Sequence, residues 1–142
     1  MGKKLKFNIV ALLVSILLPL PACKESTLLF PKCSECYTQR PAFDGIVLKV
    51  TINQENPRVP LVFYRGPYEN GNIEFRDTAR FNKQVFTLQT DVNYTIVAKY
   101  RKESRPYYVI SGAKMSTHYD ESSCSEACYF VTGKTADLRV KF

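Results

Sequence analysis

Between residues 46 and 53, Ile46, Leu48, Val50 and Ile52 alternate with Val47, Lys49, Thr51 and Asn53. A period of two turns one side of a strand toward a core, so this stretch predicts a strand. A second apolar run, Val59 to Tyr64, follows Pro57 and carries Pro60. Asn72 to Arg76 alternates around Ile73 and Phe75. Further strands are predicted over 84–89, with Phe86 and Leu88 inward, and over 94–101, with Tyr94, Ile96, Ala98 and Tyr100 on one side. The last three are 107–110, 129–131 and 138–142, where Leu138, Val140 and Phe142 share a face. Asn70-Gly71 tolerates the positive φ of a tight reversal and predicts a turn. After residue 22 no segment carries the i, i+3, i+4, i+7 stripe of an amphipathic helix. Seven or eight short strands without helices predict an all-β fold, a single antiparallel β-sandwich. Pro57, Pro60 and Pro106 fall at predicted strand starts or edges, where a missing N–H is tolerated.

The start of the chain follows a different pattern. Lys3, Lys4 and Lys6 precede an apolar run from Ile9 to Leu18 broken only by Ser15, and Pro19, Leu20, Pro21, Ala22 and Cys23 follow. That run is about half the roughly 20 residues a membrane-spanning helix needs, and its ending is that of a secretory signal. Leu20, Ala22 and Cys23 resemble the lipobox of bacterial lipoproteins, although Pro21 departs from the small residue usual there. The resemblance implies cleavage before Cys23, a diacylglyceryl group on its sulfur and attachment to a membrane through that lipid. A thiolate is the nucleophile such a modification needs. Lys24-Glu25 resembles in part the short charged tags that route some lipoproteins outward, which implies the cell envelope and the outer membrane, on its periplasmic or surface side. The competing reading is a plain cleaved signal with an incidental cysteine.

The expected organisation is a signal over 1–22, a lipid-anchored tether over 23–44 that carries a Cys33/Cys36 loop, and a sandwich over 45–142. Gly45 to Asn53, the Asn70-Gly71 turn and Phe86 to Lys99, with Tyr94-Thr95-Ile96-Val97-Ala98, resemble the immunoglobulin-like and prealbumin-like sandwiches of bacterial surface lipoproteins. Such folds serve many functions, so the resemblance implies architecture and little more.

The 142 residues carry 20 Lys and Arg against 13 Asp and Glu, a net charge of +7. Removing residues 1–22 takes away three lysines and no acid and leaves +4. With no long run of like charge, nucleic acid is not the expected partner. The apolar fraction of 45% suits a packed domain rather than a disordered chain.

Four cysteines remain beyond Cys23: Cys33 and Cys36, then Cys124 and Cys128. Two close pairs read as two disulfides or as a four-thiolate zinc site, and an exported chain meets oxidants that favour disulfides. Three connectivities are open, and bonds between the pairs would close loops of about 90 residues. A redox-active Cys33-x-x-Cys36 is the third reading, but thioredoxin-type motifs open a helix, and no helical pattern flanks this one. His118, the only histidine, reads as a solvated loop residue, and no nucleophile elbow, phosphate loop or metalloprotease helix is present. The expectation is a non-enzyme without cofactor or metal. Tyr64, Tyr68, Tyr107 and Tyr108, near arginines and lysines, are candidate contacts for a protein or glycan, and equally good strand material. The leading function is a lipid-anchored structural or interaction module. The alternatives are an accessory carbohydrate- or nutrient-binding lipoprotein and a cysteine-based zinc or redox protein.

Overall fold

A computed structural model describes residues 32–141. The predicted signal, Cys23 and Phe142 lie outside the described residues. Nine strands follow in order: β1 (Phe43–Lys49), β2 (Val59–Arg65), β3 (Asn72–Ala79), β4 (Lys83–Gln89), β5 (Asn93–Lys102), β6 (Arg105–Lys114), β7 (Ser116–Asp120), β8 (Cys128–Thr132) and β9 (Thr135–Asp137). They form a three-stranded sheet β4-β1-β9, a four-stranded sheet β3-β2-β5-β6 and a separate hairpin β7-β8. The all-β sandwich predicted by the alternation is the observed fold.

Its core is built from the alternating members of both larger sheets. Ile46 and Leu48 of β1, Phe86 and Leu88 of β4, Leu61 and Phe63 of β2, and Tyr94, Ile96 and Ala98 of β5 are buried together. Phe63 stacks on Phe75 at 4.2 Å between ring centroids and meets Phe86 of the opposite sheet at 5.3 Å. Tyr100 is buried completely yet keeps its polar end satisfied. Its hydroxyl donates to the Leu138 carbonyl at 2.7 Å and accepts from the Thr51 N–H at 3.1 Å. Burial pushes this phenol above its usual range.

Three expectations are corrected. The described chain has nine strands, seven in the two sheets and two in the hairpin, because β7 exists and was not predicted. It is not wholly antiparallel either: β9 runs parallel to β1, Val47 opposite Thr135 and Lys49 opposite Asp137. Parallel neighbours need a long crossover, and here residues 50–134 supply it. Last, the strand predicted over 138–142 is displaced, since β9 ends at Asp137. Leu138 N–H still donates to the Lys49 carbonyl at 2.8 Å, and from there side chains take over: Leu138 C=O receives the Tyr100 hydroxyl, and Val140 N–H donates to Thr51 Oγ1 at 3.2 Å. Leu138 is buried all the same.

The Asn70-Gly71 reversal is present for a different reason. Gly71 has φ −67°, and the left-handed residue is Gly66 at +85°. A Cβ on Gly71 would run into the Tyr64 ring and come within 2.9 Å of the Tyr68 carbonyl oxygen, so close approach demands glycine there. Pro60 fits β2, an interior strand, because the ladder to β5 begins one residue later at Leu61 opposite Ala98.

Candidate functional site

The segment before β1 is tied to the hairpin. Residues 33–35 make one 3-10 turn, and Tyr37 exchanges two 2.8 Å backbone hydrogen bonds with Tyr129 of β8. The cysteines close the junction, Cys33 with Cys124 and Cys36 with Cys128, at Cα separations of 5.6 and 5.5 Å. Of the three connectivities, the structure holds one that joins the two pairs to each other. Asp120 shapes the loop leading to Cys124 by accepting the N–H groups of Ser123 and Ser122, both at 2.7 Å, and these hold its carboxyl below the usual range. The sulfurs of Cys36, Cys124 and Cys128 lie within 4.8 Å of one another, a spacing thiolates could use around a metal. All three are in disulfides, and a bonded sulfur offers no thiolate.

His118 lies in β7 and not in a loop. It stacks on Phe130 at 5.1 Å, and its Nε2 is 2.9 Å from Thr132 Oγ1. A strand position, the Phe130 ring and the Thr132 hydroxyl orient this imidazole.

The four candidate tyrosines divide between two sides of one sheet. In β5 the inward residues Tyr94, Ile96 and Ala98 alternate with Thr95, Val97 and Lys99, which face away from the core. The register carries that outward side across the sheet. One row runs Arg76, Val62, Val97, Ile110, and another runs Ile73, Tyr64, Thr95, Gly112. Tyr108 stands opposite Lys99, whose ammonium sits 5.9 Å from the centre of its ring. Tyr68, on the turn after β2, meets Tyr64 edge-on at 5.7 Å. Tyr64, Tyr68 and Tyr108 therefore belong to one outer face. Tyr107 opposes Tyr100 and falls on the inner side of the sheet.

Sequence reasoning missed the rest of this face. Tyr108 is 58% and Ile110 52% exposed, Val62 is half-buried and Val97 buried, and Arg76, Lys99, Arg101 and Lys114 take outward positions around them. The alternation that predicted the inward set of β5 marks its outward partners just as well. At one end lies an open depression of about 510 Å³ lined by Gly66, Pro67, Asn93, Thr95, Gly112 and Lys114, among others. Gly112 makes its floor low, since a Cβ there would meet nothing within 4 Å.

No family model, curated protein or solved structure matches the chain.

Proposed function

We propose that the chain is a lipid-anchored protein of the cell envelope that works as a non-catalytic structural or interaction module. The observation that carries this reading is the pairing of Cys33 with Cys124 and Cys36 with Cys128. Disulfides persist where a chain meets oxidants, which agrees with a signal-like start and a lipobox-like Cys23. The same bonds staple the segment that follows the anchor to the folded body, so a module held at Cys23 would be presented at a short and defined distance from its membrane. The face with Tyr64, Tyr68 and Tyr108 is the surface such a module would offer.

The test is Cys23→Ser expressed in a bacterial host with labelled fatty acid. The wild-type chain takes up label and partitions into detergent, and the variant does neither. Equal labelling of both would remove the anchor from this reading. The proximity of three sulfurs favours a second reading, a zinc or thiol protein. One zinc per freshly isolated chain, lost to a chelator together with the fold, would put it first.

A further inference from the structure

We infer that the outer face of the β3-β2-β5-β6 sheet binds an acidic polysaccharide, laid across the sheet between its tyrosines. This rests on the interaction-module reading above and names the partner of that surface.

Charge is the first argument. Strands β2, β5 and β6 together contain Arg65, Lys99, Arg101, Lys102, Arg105 and Lys114, and not one Asp or Glu. The acids of β3 do not reverse this. Glu74 is consumed by Arg65 at 2.9 Å, and Asp77 stands opposite core-facing Leu61. The outward cations Arg76, Lys99, Arg101 and Lys114 take part in none of the five ion pairs among the described residues. Acids lie at the ends of this face, Glu69 beside Tyr68 and Glu103 with Glu55 beyond Lys102, but the outward side of β5 and β6 carries Lys99, Arg101 and Lys114 and no acid, and with half-buried Val62 and buried Val97 at its centre it attracts an anion with an apolar side.

Size is the second. Four strands and eight residues of length make a footprint of roughly 500 Å². That is well short of the roughly 800 Å² each partner buries in a specific protein–protein interface. A slender chain needs no more. From Tyr64 to Tyr108 the distance is roughly 16 Å, two strands across and four residues along. A small anion cannot bridge that distance, whereas a polymer of charged sugars can. Its carboxylates would meet Lys99, Arg101 and Arg76, its ring faces would stack on Tyr108 and Tyr68, and its hydroxyls would reach Asn93 and Lys114 over the low floor at Gly112. A second copy of this face would be repelled by the same cations.

The experiment titrates the purified full-length chain with oligogalacturonate, and with dextran of equal length as the neutral control. Saturable binding of the acidic polymer, weakened by added salt, and none of dextran, is expected. Lys99→Ala with Arg101→Ala should weaken it roughly tenfold or more, and Lys49→Ala with Lys83→Ala, the same charge removed from the β1–β4 pair of the other sheet, should not. Tyr108→Ala should weaken it too, and carries the test if the first pair lowers the melting temperature. No binding, equal losses in both charge pairs, or tighter binding to single-stranded DNA, anionic vesicles or an acidic protein would overturn the inference. Fatty-acid labelling at Cys23, measured on the same strain, separates this failure from failure of the parent reading: label without polysaccharide binding rejects only the ligand.

Discussion

Asn56 is one of two buried polar or charged residues in the described chain, and its side chain behaves as a piece of strand. Its Nδ2 donates to the Arg101 carbonyl at 2.9 Å and its Oδ1 accepts the Arg101 N–H at 2.8 Å. Asn56→Ala should cost about 1 to 3 kcal/mol in urea unfolding, since it strands both backbone groups of Arg101 away from water. A loss within error would mean that solvent replaces the amide. Asp91 makes a prediction in pH. The Thr117 N–H at 3.0 Å and the Arg40 guanidinium at 2.9 Å hold its carboxyl at about 2, against an ordinary 3.8. A carboxyl lowered by folding stabilises the fold above its unfolded value, and that contribution disappears as pH falls from about 4 to 2. Asp91→Asn, which tolerates the φ of 60° found here, should be less stable than wild type at pH 7 and approach it toward pH 2. Parallel acid-unfolding curves would contradict this. At this scale the core was readable, because Leu48, Ile96 and Leu138 sit on two-residue periods and all three are fully buried. Leu48→Ala should cost about 2 to 5 kcal/mol in the same unfolding assay. Asn56 was not readable, for its partner lies 45 positions away.

Elements differ in legibility for a physical reason. Strands with one face in the core print an alternation into the sequence, as β1, β4 and β5 do. The hairpin strand β7, Ser-Thr-His-Tyr-Asp, lines no core and its residues are half-buried or exposed, so it carries no such imprint. Strand β6 extends over 105–114 rather than 107–110, because small Ser111, Gly112 and Ala113 continue its pairing without an apolar signal. The short β9 depends on the turn before it. Gly133 has φ +75°, and a Cβ there would collide with the Lys114 carbonyl oxygen. Gly133→Ala should therefore lower the melting temperature by several degrees, as a left-handed strain and a backbone clash together cost about 1 kcal/mol or more. A melting curve unchanged from wild type would show that the β8–β9 turn relaxes freely. The outer face of β5 and β6 was half legible: its tyrosines and the arginines and lysines near them drew notice, but only the register shows which share a side.

Across the whole molecule the decisive fact is which cysteine meets which, and spacing could not choose among three pairings because the path of the intervening chain decides it. The bonds span 91 and 92 positions. Reduction should lower the melting temperature sharply, each bond contributing roughly 2 to 4 kcal/mol, and no thiol among Cys33, Cys36, Cys124 and Cys128 should react before reductant is added. A small domain has little more than that to lose. The two bonds also turn most of the polypeptide into a closed circuit. A protease that severs any peptide bond from residue 37 to residue 123 opens the circuit without producing two molecules, because each piece still holds two of the four bonded sulfurs. Exposed reversals such as Glu103-Ser104 can thus be nicked while the halves stay covalently joined and paired through β5 and β6. Such a protein would pass a non-reducing gel as one band and separate into two only with reductant, so a protease could cut it and still not take it apart.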